Sequence, residues 1–267
     1  MPGEPDPLYD KAREVLLDAL EALGPQRPSL VLVGAQAIYL HTGEADLAVA
    51  PFTTDADVVL DPAELREQPH LGDALTASGF VAGDQPGQWL KDDVRFDLMV
   101  PDAVAGAGRR GVRLGVHGKR AARRARGLEG ALVDHQTREI ASFHEGGRHT
   151  EILVAGPAAL LVSKLHKLSE RVEERDRLKD KDALDVLRLL RGVALGSLAD
   201  GIRQLLARDV SRDVTDEAVD QLRELFGRAE GVGSGFAARA AEGLEPADTI
   251  RASCAALAQE LLVALGR

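Results

Sequence analysis

The hydrophobic pattern of this chain changes at Gly156-Pro157, and that change limits the possible folds more than any other feature. Upstream, short apolar runs bounded by turn residues predict β-strands at residues 29–33, 54–60, 94–100, 132–133, 139–143 and 151–154. Downstream, apolar residues recur only at helical spacing, over residues 158–169, 181–190, 198–206, 217–226 and 249–265. We therefore predict a mixed α/β (α+β) domain over residues 1–156 and a helical bundle over residues 157–267.

Helical patterns also occur between the upstream strands. Helices are expected over residues 9–23, 35–41 and 70–78, and residues 42–51 are expected to form a loop. A further helix is predicted to open at Asp61-Pro62, where the aspartate would cap the helix and the proline would occupy its first turn. The expected fold is thus a mixed sheet with helices, followed by the bundle.

Composition and charge exclude several classes of protein. The 267 residues carry a net charge of −10, so the chain as a whole has no electrostatic attraction to nucleic acid or to an anionic membrane. The single cysteine, Cys254, permits no intramolecular disulfide, and its helical apolar pattern predicts a buried thiol. No apolar run is long enough to span a bilayer, and the N-terminus lacks the features of a signal peptide, so a cytoplasmic location is expected.

Basic residues are concentrated in one segment of this acidic chain. Between residues 103 and 128 there is no acidic residue, and the basic ones are Arg109, Arg110, Arg113, Lys119, Arg120, Arg123, Arg124 and Arg126. This basic stretch, residues 109–126, is a candidate for binding an RNA backbone or a nucleoside triphosphate. The alternative is a solvated surface that pairs with acidic groups of the same chain.

Three aspartates lie in two of the predicted strands. Because side chains alternate along a strand, Asp55 and Asp57 would project from one face, and their charges would repel each other unless a cation lay between them. Asp97 lies within the apolar strand predicted at residues 94–100, where an unpaired carboxylate is costly to bury. If the two strands are neighbours, the three carboxylates form a site for Mg²⁺ or Mn²⁺.

Such a cluster can hold two metal ions about 3.5–4 Å apart, the arrangement that serves in-line nucleotidyl transfer. The alternative leaves Asp55 and Asp57 on the surface at a strand edge and pairs Asp97 with Arg95 or with a helix. The segment around Gly34 favours the metal site, because a glycine turn from a strand into a helix lets backbone amides meet phosphate.

The order of these segments resembles the polymerase-beta-type nucleotidyltransferase superfamily. Within it, the chain is most similar to the AbiEii-like group, which includes nucleotidyltransferase toxins of toxin–antitoxin pairs. The matching segments are VGAQAIYLHTG, TTDADVVLDP, FDLMVP, LLVSKLHKLSER and LKDKDALDVLRLLR, which together span about residues 30–191.

The resemblance implies roles for residues of both halves. The metal ligands would be Asp55, Asp57 and Asp97. The triphosphate would be held by the amides of Gly34, Ala35 and Gln36, with help from Thr53 or Thr54. Lys164 would contact phosphate, and Asp182 would either orient or deprotonate the acceptor or orient Lys164. The chain departs from the superfamily at Ala35, where a Gly or Ser is usual, so a serine contact to phosphate is lost.

These residues predict a nucleotidyltransferase that moves a nucleoside monophosphate from an NTP to a hydroxyl group and releases pyrophosphate. The acceptor would be the 3′ end of a tRNA or a protein side chain, and as a toxin the enzyme would be held inactive by an antitoxin protein. One alternative is a small-molecule nucleotidyltransferase of the aminoglycoside type. Another, which Ala35 keeps open, is a catalytically weak nucleotide-binding regulatory protein.

Overall fold

Two compact units make up the structure, a computed structural model that describes residues 6–43, 52–172 and 178–267. The first unit comprises Met1–Ala37 and Pro51–Ala155, and the second comprises Ile38–Ala50 and Gly156–Arg267. Residues 44–51 of the loop expected at 42–51 lie outside the described residues.

An eight-stranded mixed sheet forms the centre of the first unit. Its strands are β1 (Leu30–Val33), β2 (Asp55–Leu60), β3 (Val81–Ala82), β4 (Gln88–Lys91), β5 (Val94–Pro101), β6 (Arg123–Ala125), β7 (His135–Ala141) and β8 (His149–Ala155). Their order is β3-β4-β5-β2-β1-β8-β7, and β6 also pairs with β5. The β1–β8, β2–β5 and β5–β6 pairs are parallel, whereas the other pairs are antiparallel. The predicted mixed α/β fold is therefore confirmed.

Three helices accompany this sheet: α1 (Pro7–Ala22), α2 (Gly34–Thr42) and α3 (Leu71–Ala77). Helix α1 begins where the sequence provides a cap, because the Asp6 carboxylate accepts a hydrogen bond from the Leu8 amide at 2.8 Å and Pro7 occupies the first position. Its buried residues include Ala12, Leu16 and Leu20, which share one face, and the helix packs against β5 and β2.

A buried polar network joins α1 and α2 to the sheet. The Arg13 guanidinium donates to the Gln36 side-chain oxygen and to the Ala141 carbonyl, both at 2.9 Å. The Gln36 amide in turn donates to the carbonyls of Ala12 and Asp55, both at 3.2 Å. Arg13 and Gln36 are 3% and 1% exposed, so these bonds satisfy groups that water cannot reach. Because the side chain of Gln36 is committed here, only its backbone amide remains for the phosphate contact predicted from the sequence.

Two local predictions in this unit were wrong. No helix opens at Asp61, because its carboxylate accepts from the Ala63 amide at 2.9 Å and closes a turn that competes with helical bonding. The strand predicted at residues 132–133 is also absent, and Leu132 instead ends the 3₁₀ helix Glu129–Leu132. The short strands β3, β4 and β6 were missed, because two to four residues carry too little alternation to recognise.

The described residues of the second unit from Gly156 onward form helices and no strands, as predicted. The helices are α4 (Pro157–Arg171), α5 (Leu178–Gly192), α6 (Leu195–Leu206), α7 (Asp209–Phe226), α8 (Val232–Ala240) and α9 (Ala247–Ala264). Helix α8 was missed because its glycine and serine residues lower helix propensity. Cys254 is fully buried in α9, and burial raises the pKa of its thiol to about 12. Within the described part of the chain, no helix has the length and apolar character needed to cross a membrane.

Replacing Gln36 with Leu should lower the free energy of unfolding by about 1–3 kcal/mol, because a buried guanidinium N–H of Arg13 would lose its acceptor and the carbonyls of Ala12 and Asp55 would each lose one donor. Urea unfolding would measure the change. Gln85→Leu is the matched control, since Gln85 is exposed and accepts a single side-chain bond, from Arg110. Equal effects of the two substitutions would contradict a structural role for the network.

Candidate active site

The parallel register of β2 and β5 brings the predicted acidic residues side by side. Asp57 is the register partner of Asp97, and Asp55 is the partner of Arg95. Register partners in a parallel pair project from the same face, and so do residues two apart on one strand. The side chains of Asp55, Asp57, Asp97 and Arg95 therefore share one face of the sheet.

Gly34 fixes how closely the chain approaches this face. Val33 at the end of β1 is the register partner of Asp57, and Gly34 begins α2 directly after it with φ = +70°. A Cβ at this position would lie 2.5 Å from Asp57 Oδ2, so both the close approach and the left-handed backbone require glycine. The N-terminus of α2, whose first amides have no partner within the helix, is thereby placed with the positive end of its dipole beside the Asp57 carboxylate.

Two of the acidic side chains are held by neighbours of different kinds. The buried Thr53 hydroxyl donates to Asp55 Oδ1 at 2.7 Å, which orients that carboxylate, whereas Thr54 is exposed. Asp97 is only 6% exposed. Its Oδ2 faces Arg123 Nη2 at 3.3 Å, while its Oδ1 is buried and accepts no hydrogen bond from any residue that the structure describes.

Arg95 bridges acidic residues of the two strands. Its Nη2 lies 3.1 Å from Asp55 Oδ2, and its Nε lies 3.5 Å from Asp97 Oδ2. Partial burial acts to lower the pKa of Arg95, but the carboxylates of Asp97, Asp55 and Asp57 raise it above its ordinary value. The protein thus supplies part of the positive charge that these acids need. The sequence had offered Arg95 only as an alternative partner of Asp97, and it gave no sign of the Arg123 contact.

The donor set of this face fits a hard divalent cation. Carboxylate oxygens are the ligands that Mg²⁺ and Mn²⁺ prefer, and the buried, unbonded Asp97 Oδ1 is an oxygen that lacks a partner within the protein. The three side chains of Asp55, Asp57 and Asp97 do not, however, present oxygens that all lie within 4.8 Å of one another. Arg95 lies against two of them.

A different set of ligand-type side chains is gathered more closely. Over the described ranges, Asp10, Glu14 and His144 are the one group of three whose ligand atoms lie within 4.8 Å of one another. Its members already have partners within the protein, since His144 Nε2 lies 3.2 Å from Asp10 Oδ2 and Arg148 Nη2 lies 2.7 Å from Glu14 Oε2. It lies on α1 and on the turn between β7 and β8, not on β2 or β5.

Lys164 and Asp182 lie in the second unit, where they form a buried charged cluster. Lys164 Nζ is 2.8 Å from Asp182 Oδ1 and 2.7 Å from Asp185 Oδ2, and each of the three residues is at most 4% exposed. Asp182 Oδ2 also accepts from Arg171 Nη1 at 3.1 Å. Lys164 is therefore a fixed charge, and its contact with phosphate stays a prediction.

The charge state of Asp182 favours one of its two predicted roles. Burial acts to raise the pKa of Asp182, but the attraction of Lys164 and then of Lys167 lowers it to about 2. The same pairing raises the pKa of Lys164 well above its usual value, although burial opposes this. A carboxylate with so low a pKa is a poor general base at neutral pH. This charge state and the 2.8 Å contact with Lys164 Nζ favour orientation of Lys164 over deprotonation of an acceptor, and both roles stay predictions.

The basic stretch contains no α-helix and is irregular except for the 3₁₀ helix Gly115–His117 and strand β6. Its exposed basic side chains are those of Arg109, Arg110, Arg113, Lys119, Arg120 and Arg126. Some of its members are engaged within the chain, as Arg123 is with Asp97 and as Arg124 is with Asp102 at 2.8 Å. Pairing within the chain therefore accounts for part of the stretch, and binding of RNA or a nucleoside triphosphate stays a prediction.

Fold and sequence comparison together define the class of protein. A family model described as nucleotidyltransferase matches residues 13–191, which include β1, β2 and β5 as well as Lys164 and Asp182. The chain belongs to this nucleotidyltransferase family, and it is therefore a transferase enzyme. No curated protein and no solved structure matches the chain.

Gly34→Ala should disrupt the site more than an equivalent change elsewhere. Forcing alanine to positive φ costs about 1–2 kcal/mol, and at Gly34 the contact with Asp57 adds to that cost. Gly79→Ala is the matched control, because Gly79 has φ = +87° and the nearest atom to an added Cβ is Lys91 Cε at 3.9 Å. Nucleotidyl transfer and urea unfolding would both be measured. Equal losses in the two variants would show that only the backbone conformation matters.

Asp182→Asn should remove a contribution to stability that depends on acid pH. Because folding lowers the pKa of Asp182 from 3.8 to about 2, this contribution is complete above about pH 4 and is lost as the pH falls towards 2. Between pH 7 and pH 2, the wild type should lose roughly 2 kcal/mol more unfolding free energy than the variant.

Unfolding by urea at a series of pH values would test this. Asp200→Asn serves as the control, since the Asp200 side chain is 79% exposed and its pairing with Arg203 contributes little. Identical pH profiles for wild type and Asp182→Asn would contradict the assignment.

Proposed function

We propose that this enzyme transfers a nucleoside monophosphate from an NTP to a hydroxyl group, with Asp55, Asp57 and Asp97 as ligands of Mg²⁺ or Mn²⁺. The observation that carries the proposal is the β2–β5 register, which sets Asp57 beside Asp97 and next to the N-terminus of α2. A shared face of carboxylates next to the N-terminus of a helix suits both halves of a metal–triphosphate ligand, since the carboxylates bind the cation and helix amides bind phosphate.

Each residue of this face has a distinct role in the proposal. Divalent cations held there would neutralise charge on the triphosphate and lower the pKa of the attacking hydroxyl. Thr53 keeps Asp55 oriented, and Gly34 allows the amides at the start of α2 to approach phosphate oxygens without steric hindrance. Ala35 supplies its amide but no hydroxyl, so the backbone provides the turn's contacts to phosphate.

An RNA 3′ end is the acceptor that we favour. The exposed arginines and lysine of the basic stretch can neutralise backbone phosphates, and they lie in the same unit as the carboxylates. A cationic aminoglycoside would gain nothing from such a surface. By its resemblance to the AbiEii-like group, we further propose that the enzyme acts as a toxin and that an antitoxin protein restrains it.

Incubation of the purified enzyme with each α-phosphate-labelled NTP, Mg²⁺ or Mn²⁺, and total tRNA tests the reaction directly. Label should enter tRNA, with release of pyrophosphate, and chelation of the metal should stop the transfer. Label that enters the enzyme itself or an aminoglycoside in parallel reactions would instead favour one of the other acceptors. Absence of label in every acceptor would contradict the proposed activity.

Asp57→Asn should lower transfer by about a hundredfold or more, because an amide neither carries the charge nor offers two oxygens to a cation. Asp73→Asn is the control, since the Asp73 side chain is 86% exposed on α3 and pairs only with His70 among the described residues. Initial rates at saturating NTP would be compared after thermal melting has shown that both variants fold. Full activity of Asp57→Asn would exclude this face as the active site.

A further inference from the structure

Arg95 has a role that the proposed function does not yet assign. We propose that Arg95 is a displaceable counter-cation, which occupies the carboxylates in the metal-free enzyme and moves to the NTP triphosphate once metal is bound. This inference rests on the proposed function, and it concerns the order in which Arg95, the metal ion and the NTP contact the carboxylates.

The position of Arg95 is the first argument. Its guanidinium spans acids of two strands, Asp55 on β2 and Asp97 on β5, which are the residues that metal binding would need. It contacts Asp97 only through Oδ2, and it leaves the buried Oδ1 of this carboxylate without a hydrogen bond from the described residues. The guanidinium therefore covers one side of the acidic group while an inward-facing oxygen remains for another ligand.

The quality of these contacts is the second argument. Arg13, the structural arginine of this unit, is 3% exposed, and its three side-chain hydrogen bonds are 2.9–3.0 Å long. The Arg95 side chain is 44% exposed, and its contacts with Asp55 and Asp97 are 3.1 Å and 3.5 Å long. A side chain that is half in water and loosely paired can leave at little cost. Arg95 thus has the features of a cation held by charge, not by packing.

The balance of charge is the third argument. Arg95 and Arg123 already bring two guanidinium groups against the carboxylates of Asp55 and Asp97. Adding a divalent cation beside Arg95 would place like charges together, so metal binding favours departure of the guanidinium. An NTP brings new negative charge to the same face, and the planar fork of arginine matches phosphate oxygens. The displaced side chain would then have a partner at hand.

Binding of Mn²⁺ without nucleotide tests this order of events. Titration followed by the electron paramagnetic resonance signal of free Mn²⁺ should show at least about tenfold tighter binding to Arg95→Met than to wild type, because a competing charge is removed. Arg95→Lys, which keeps the charge but not the fork, should lie between them. Arg27→Met is the matched control, since Arg27 is exposed and precedes β1, whereas Gly34 follows the other end of that strand. The Mn²⁺ affinity of the Arg27→Met variant should equal that of the wild type.

The NTP should respond in the opposite direction. In the transfer assay, Arg95→Met should raise the KM for NTP by about tenfold with a smaller change in kcat, because a contact to phosphate is lost. A merely structural arginine would weaken metal and nucleotide binding together. The opposite signs therefore separate displacement from loss of folding, and thermal melting of each variant checks the latter independently.

Equal or weaker Mn²⁺ binding by Arg95→Met would overturn the inference, as would an unchanged KM for NTP. If either result came with transfer that still depends on Asp57, the role of Arg95 would fail while the proposed function stood. If Asp57→Asn left both Mn²⁺ binding and transfer intact, the proposed function itself would fail. Mn²⁺ bound at this face is the fraction of bound Mn²⁺ that Asp57→Asn removes.

Discussion

The parallel pairing of β2 with β5 is the constraint on which the candidate site depends. In a parallel pair, register partners project from the same face, so Asp57 and Asp97 become neighbours although they are distant in sequence. Placing so much negative charge on one face is unfavourable unless positive charge accompanies it. Arg95 and Arg123 supply some of that charge within the protein, and we propose that bound cations supply more.

Buried and part-buried hydrogen bonds hold the residues of this face in position. Gln36 fixes the Asp55 carbonyl, and Arg13 holds Gln36, so the start of β2 is tied to α1 and α2. Thr53 then sets the direction of the Asp55 carboxylate. Gly34 lets α2 begin directly beside Asp57. The stability of the first unit and the geometry of its acidic face therefore depend on some of the same residues.

Much of this arrangement could be predicted from sequence. Alternation identified the shared face of Asp55 and Asp57, and the change of periodicity at Gly156 indicated where strands give way to helices. Register between strands distant in sequence could not be predicted, and neither could the contacts that follow from it, such as Arg123 with Asp97. Asp61 looked like a helix cap because a turn and a helix use the same aspartate hydrogen bond at their first residues.

The two groups of predicted site residues, the acids on β2 and β5 and the cluster around Lys164, differ in how their charges are paired. The acids on β2 and β5 are partly neutralised, and one oxygen of Asp97 has no partner among the described residues. Lys164, Asp182 and Asp185 instead form a closed cluster in which the lysine is held between two carboxylates. The first arrangement suits a ligand that comes and goes, whereas the second suits a fixed charge. Membership in a nucleotidyltransferase family, matched over residues 13–191, covers both groups.

The most direct measurement of the central claim is anomalous diffraction from crystals of the enzyme soaked in Mn²⁺. The account predicts an anomalous peak at the β2–β5 face, within bonding distance of Asp57 and Asp97. A peak at Asp10, Glu14 and His144 with none at Asp57 and Asp97, or no bound Mn²⁺ at all, would contradict it.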